Sequence, residues 1–291
     1  MRSWMKNING GFPLTEINIP GTHNSCACCV QFSLLSRCQN MSITQQLNSG
    51  IRFLDIRVQK DKDRLKLVHS IADCKNPVTK STLYLDEVID DCRAFLEENP
   101  SETILFCFKR DDGTDDTETF DTFFENYLED EIWYKENRFP CLNDVRGKIV
   151  LLNRCCTDID KDIYNDFNCG INLTGWPYQE KFEGKIFSEA PLIKYSGKAT
   201  DYFLVQDMYR LSPKEKWNSA INPFLNNPPQ TSGGVISFFS STTGIFTPKL
   251  CATYINRKLS SKALKKAKKY GWIILDYPTE KFIKEIINSN F

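Results

Sequence analysis

The sequence predicts an α/β chain folded as a single distorted (β/α)8 barrel of the TIM type, irregular and with at least one missing helix. Three observations lead there. Short apolar, β-branched runs recur along the 291 residues, with helix-period segments between several of them, and strand followed by helix, repeated, is the pattern of a parallel sheet. Nearly every run ends in a charged or titratable residue, and a (β/α) barrel gathers the carboxyl ends of all its strands at one mouth. No long Gly-, Ser- or Pro-rich linker divides the chain, so residues 1–291 are read as one domain of a length that such barrels commonly use.

Taken in order, the runs predicted as buried strands are Ile17 to Ile19, Ile51 to Val58, Leu65 to Val68, Thr103 to Phe108, Ile149 to Leu152, Phe203 to Val205, Val235 to Phe239 and Ile273 to Leu275. Leu83, Val88, Cys92, Phe95 and Leu96 form a helical face ending near Asn99-Pro100. Phe120, Phe123, Phe124, Tyr127 and Leu128 form another, backed by ten acidic and no basic residues from Asp111 to Glu131, which reads as the solvated side of a helix. The link from Arg57 to Leu65 is too short for a crossover helix, which takes about a dozen residues; hence the expected missing helix. A doubly wound sheet is disfavoured because no glycine-rich phosphate loop follows a strand.

Lys+Arg and Asp+Glu number 37 each, for a formal net charge of zero. That balance speaks against nucleic acid as a partner, since such binding rests on a basic surface. No run approaches the roughly 18 apolar residues of a spanning helix, and Met1 to Leu14 lacks the features of a signal peptide; a soluble chain is expected. The twelve cysteines are few for a chain long enough to bury a core without staples. Mostly reduced, buried thiols are expected, which favours a cytoplasmic setting. Cys26-Ala-Cys-Cys29 has a C-x-x-C spacing with Cys38 nearby, but there is no second such pair, so a zinc site is not expected.

The titratable residues at or near the run ends are His23, Asp55, Arg57, His69, Lys109, Arg154, Asp207 and Asp276. In a barrel they would meet in one cleft. Only two histidines exist, which excludes a three-His zinc centre. Two imidazoles beside a guanidinium suit phosphodiester cleavage without a metal or other cofactor. One removes a proton from an attacking hydroxyl, the other protonates the departing alkoxide, and Arg neutralises charge growing on the non-bridging oxygens. A hydroxyl adjacent to the phosphate would gain from proximity and yield a cyclic phosphate. Inositol phospholipid and RNA both offer one.

Ile19-Pro-Gly-Thr-His23-Asn-Ser25, Gly50-Ile-Arg-Phe-Leu-Asp55-Ile-Arg57 and Leu67-Val-His69 resemble the X-domain signature of the phosphatidylinositol-specific phospholipases C. The likeness continues through Asn99-Pro-Ser-Glu-Thr-Ile104 before Lys109, Arg146-Gly-Lys-Ile-Val150 before Arg154, Val205-Gln-Asp207-Met-Tyr209 and Ile274-Leu-Asp276-Tyr-Pro278. Order and spacing match the single-domain bacterial branch. The resemblance implies that His23 is the general base on the inositol 2-hydroxyl, oriented by Asp276, and that His69 is the general acid toward diacylglycerol, assisted by Asp55. It implies that Arg57 contacts the phosphoryl oxygens, where metal-dependent eukaryotic relatives put calcium. Asn24, Lys109, Arg154 and Asp207 are then substrate-binding residues, and Tyr209 stacks on the inositol ring. Asn24 departs from the pattern, since bacterial members usually carry Asp after the first catalytic His.

The partner so implied is phosphatidylinositol in membranes, met transiently by a peripheral monomer. The alternatives are a weak or inactive headgroup-binding pseudo-enzyme and a cyclising phosphodiesterase acting on glycosylated phosphatidylinositol. Bacterial relatives are often secreted, so the resemblance and the cysteines point to different compartments. Lys249 to Leu275 holds eight basic and no acidic residues, with Lys262, Lys265, Lys266, Lys268 and Lys269 expected on one helix, as a solvated face or a membrane-attracted one. Gly244-Ile-Phe246 is expected to form an apolar rim loop, and Phe238 and Phe239 belong to the core.

Overall fold

The computed structural model describes residues 1–111, 124–155, 170–193 and 201–291. Among them, twelve strands form one sheet: β1 Ile19–Thr22, β2 Phe53–Asp61, β3 Arg64–His69, β4 Ala72–Asp73, β5 Ile104–Arg110, β6 Trp133–Tyr134, β7 Ile149–Asn153, β8 Ile171–Asn172, β9 Ser188–Pro191, β10 Tyr202–Gln206, β11 Gly234–Phe238 and β12 Trp272–Leu275. Strands β7, β5, β2, β1, β12, β11 and β10 lie side by side and parallel, and the outer edge of β7 is shared by β6 at its start and β8 at its end. This is the expected α/β barrel, but it is not closed. Among the described residues no ladder joins β8 to β10, whose free side pairs antiparallel with β9. Asn137 crosses the gap: it accepts from Asn172 N–H at 2.9 Å and donates to the Ile193 carbonyl at 2.7 Å.

The run Leu65 to Val68 is not a barrel stave. It lies in β3, which returns antiparallel to the nine-residue β2 in a hairpin. The crossover from β2 to β5 is completed further on by the helix Leu85–Glu98, whose buried face is Leu85, Val88, Ile89, Cys92, Phe95 and Leu96. The stave beyond β7 is instead the two-residue β8, too short to leave an alternating pattern. Helix is absent among the described residues between β8 and β9, and this is where the barrel is most irregular.

Two further expectations are corrected. Strand β1 lies later than the Ile17 to Ile19 run and includes Pro20 and Gly21, residues normally depleted in strands. A Cβ on Gly21 would sit 2.7 Å from both Ile274 Cδ1 and Phe53 Cβ, so glycine is what lets β12 and β2 approach β1. The lysines 262 to 269 are not on a helix: the helix Pro248–Leu259 stops before them. Lys269 Nζ bonds Glu16 and the carbonyls of Thr231 and Gly233, all close before strands, so this lysine is tied to the end of the barrel away from the mouth. Phe120 and Phe123 lie outside the described residues; Phe124, from the same face, is buried and stacked on Phe108 at 4.1 Å.

Side chains alternate along β2, so Phe53, Asp55 and Arg57 share one face. Phe53 meets Trp272 at 5.9 Å and Phe238 at 6.5 Å, and Trp272 meets Phe203 at 4.8 Å. The interior is thus packed with rings below the end where the strands finish. At the opposite end Arg52 and Glu102, both fully buried, pair at 2.8 Å, and Arg52 also donates to the Leu47 and Ile51 carbonyls. Removing one partner of such a pair strands the other charge in the core. Glu102→Ala is expected to lose about 3–5 kcal/mol of stability in urea unfolding; an unchanged midpoint would remove this pair from the account of the fold.

Candidate active site

The first turn after β1 is built by short polar side chains. The Ser25 hydroxyl accepts from Asp55 N–H at 2.8 Å, and Ser25 N–H returns a bond to the Asp55 carbonyl at 2.9 Å. Asn24, at φ 42°, takes the left-handed conformation that Asn tolerates better than most residues. Its N–H donates to Asp55 Oδ2 at 3.0 Å. Gln39 donates to the carbonyls of His23 and Leu275 at 2.7 and 3.0 Å, tying the turn to the end of β12. The His23 ring therefore stands at the mouth, on Phe238 at 6.1 Å.

A cavity of ≈590 Å3 opens there, lined by His23, Asn24, Arg57, His69, Lys109, Arg154, Asp207, Tyr209 and Asp276 among others. Of the ten residues singled out from sequence, only Asp55 is not part of its wall. Asp55 is fully buried beneath it. His69 arrives by an unexpected route, since the β2–β3 hairpin carries the chain outward and β3 brings His69 back. The two imidazoles stand 6.1 Å apart at 83°.

His23 Nδ1 is 2.9 Å from Asp276 Oδ1, and its Nε2 is 2.9 Å from the Asn24 amide Nδ2. A carboxylate only accepts and an amide nitrogen only donates, so Nδ1 carries the proton and Nε2 presents a lone pair. His69 Nδ1 lies 2.6 Å from the Ser36 carbonyl and donates to it, leaving Nε2 for the cavity. Burial, and then the charges of His23 and Arg57, push the pKa of His69 down, which makes its proton easier to give up.

Arg57 is held by Asp55 at 3.3 Å and by Asp111 at 3.5 Å. Burial alone would raise the Asp55 carboxyl; Arg57, His23, Arg154 and the Asn24 N–H overcome it and hold the group far below the usual carboxylate range. Arg154 lies 3.7 Å over the Trp176 ring. Trp176 in turn donates to Asp207 at 3.1 Å, and Gln179 accepts from Asp207 N–H at 2.6 Å.

Sequence reasoning missed Asp111, Trp176 and Gln179. Asp111 was grouped with the acidic run as a solvated helix face; it lines the cavity and accepts from Ser70 N–H at 2.7 Å beside His69. Its place one residue past β5 and two after Lys109, on the same side of the extended chain, was the available signal. Trp176 and Gln179 lie in the irregular segment after β8, where no period exists to read.

Comparison with known proteins agrees with this architecture. The family model for the phosphatidylinositol-specific phospholipase C X domain matches residues 12–155. The 1-phosphatidylinositol phosphodiesterase of Staphylococcus aureus strain Newman is 31% identical over 99% of this chain and 94% of its own length. A crystal structure of the Staphylococcus aureus phosphatidylinositol-specific phospholipase C superposes with a TM-score of 0.76 at 25% identity, covering 100% of this chain and 97% of that one. The Listeria monocytogenes phosphatidylinositol-specific phospholipase C gives 0.66 at 25% identity, covering 100% and 98%. With its barrel, its mouth and these relatives in agreement along the whole length, the chain belongs to the bacterial branch of the phosphatidylinositol-specific phospholipase C family.

Proposed function

We propose that this chain cleaves phosphatidylinositol to diacylglycerol and inositol 1,2-cyclic phosphate by paired histidine catalysis, as a single-domain enzyme. The observation that carries this reading is the facing pair of imidazoles, 6.1 Å apart, in a cavity that Arg57 also lines. The name of the Staphylococcus aureus relative, 1-phosphatidylinositol phosphodiesterase, supports the substrate.

His23 Nε2 accepts the proton of the inositol 2-hydroxyl, whose oxygen attacks the adjacent phosphorus. Asp276 keeps the ring in the required tautomer and stabilises the imidazolium that forms. Arg57 neutralises charge on the non-bridging oxygens, held for that task by Asp55 and Asp111. His69 protonates the diacylglycerol oxygen as the P–O bond breaks. The Asn24 amide occupies His23 Nε2 at rest and gives way to the substrate hydroxyl. No metal is assigned a step, because a guanidinium, itself a cation, stands between Asp55 and Asp111. Lys109, Arg154 and Asp207 bind inositol hydroxyls. Tyr209, with an exposed face at the rim, stacks on the ring.

Substrate in a bilayer calls for an apolar rim. Leu34 and Leu35 on the short helix Ser33–Ser36, Ile71 beside His69, and Ile245 are all exposed, Ile245 by 84%. Leu35 lines the cavity itself, and Ile245 lies between cavity residues Thr242 and Pro248. Seated in acyl chains, these side chains would hold the mouth against the lipid surface.

His23→Ala and His69→Ala are each expected to lower cleavage of phosphatidylinositol vesicles by about 10²–10⁴-fold, while phosphorus NMR of the unmodified protein's product shows a cyclic phosphate. An acyclic first product, or full activity in either variant, would remove the paired mechanism. Ile245→Ser with Phe246→Ser is expected to weaken vesicle binding by about tenfold or more and to spare hydrolysis of soluble inositol 1,2-cyclic phosphate; equal loss on both substrates would count against the rim.

A further inference from the structure

Cys38 is fully buried directly behind the two catalytic imidazoles. Its backbone is fixed, donating to the Ala27 carbonyl at 3.1 Å and accepting from Tyr277 N–H at 3.0 Å. Its thiol has only long contacts, 3.7 Å to the Ser36 carbonyl and 3.7 Å to His69 Nδ1. A ring nitrogen of His23, the Cys38 sulfur and a carboxylate oxygen of Asp276 all lie within 4.8 Å of one another, the one such group among the described residues. The C-x-x-C segment at residues 26–29 forms no comparable group.

We propose that His23, Cys38 and Asp276 form an inhibitory site for a thiophilic divalent cation, with zinc as the fitting ion. One imidazole, one thiolate and one carboxylate are zinc ligands, and four-coordinate zinc takes three protein ligands with water at the open position. One Zn2+ with one thiolate and one carboxylate is neutral overall, so the burial penalty of a bare cation does not arise. On binding, the thiol proton leaves to water as the Zn–S bond forms. The metal takes the place of the hydrogen between His23 Nδ1 and Asp276, and that proton moves to Nε2. His23 then has no lone pair toward the substrate and the base is lost. Zinc binding itself stands apart from the catalytic reading; its inhibitory effect rests on that reading.

The test uses the whole protein. Co2+ is added to the unmodified chain, to Cys38→Ala and Cys38→Ser, and to a Cys28→Ser plus Cys29→Ser control, and thiolate-to-cobalt charge-transfer absorption is recorded. In parallel, Zn2+ is titrated into vesicle cleavage and then removed with chelator. The expected result is a zinc-displaceable cobalt band in the unmodified chain and in the control, and no such band in either Cys38 variant. Half-inhibition by Zn2+ is expected to need about tenfold or more metal in the Cys38 variants than in the unmodified chain, with their metal-free activity kept and chelator restoring the rate. If Cys38→Ala fails to fold, Cys38→Ser carries the comparison. No band in the unmodified chain, an equal band in the Cys38 variants, loss of the band in the control, or equal zinc sensitivity throughout would overturn the proposal. A chain that shows the Cys38-dependent band but never cleaves phosphatidylinositol would uphold the metal site and sink the catalytic reading instead.

Discussion

The site is organised around one buried carboxylate. Asp55 has no contact with solvent, and a bare charge there would be driven to neutralise. It is kept ionised because three things converge on it: the Arg57 guanidinium, the Asn24 N–H and the charge of Arg154. Those same partners line the cavity. Holding Asp55 ionised and positioning Arg57 and the turn that carries His23 are therefore one physical arrangement. The pair of bonds between Ser25 and Asp55, one to the Ser25 hydroxyl and one between backbones, locks β1's turn to β2 so that the arrangement has a single register.

The barrel distributes its tasks by height. Fully buried ion pairing between Arg52 and Glu102 and the lysine ties of Lys269 hold the end where strands begin. Aromatic rings fill the middle, and polar groups crowd the end where strands finish. The gap between β8 and the residues that follow β9, crossed among the described residues by Asn137 and a backbone bond from Ile193 N–H to the Asn172 carbonyl rather than by a strand ladder, leaves the wall there to the irregular segment after β8. That segment supplies Trp176 and Gln179, which brace Arg154 and Asp207. A regular barrel would have put a stave and a helix in that space.

Much of this was legible in the residues. The apolar runs matched real strands because strands buried on both faces read as continuous β-branched stretches. The titratable run ends were a dependable guide to the cavity, since parallel barrel strands finish on one side. The errors have physical causes too. Leu65 to Val68 has the composition of a stave, but composition carries no direction, and direction is set by the two-residue turn between β2 and β3. The lysines before β12 have helical spacing, yet Lys269 finds three oxygen partners in the loop that a helix would not offer. Asp111 sits in a run of like charges, and such a run does not mark out the one carboxylate that pairs with Arg57.

By itself the sequence determined the fold class, the family, and which side chains gather at the mouth, because strand periodicity and strand-end chemistry are local properties that survive in one dimension. The tertiary structure alone decided how those side chains relate: that His69 returns on a hairpin to stand against His23, that Asp55 lies under the cavity rather than in it, that Asp111 grips Arg57, and that Cys38 backs both imidazoles. Each of these is a distance between residues separated by many positions in the chain, and such distances exist only once the backbone has closed around its core.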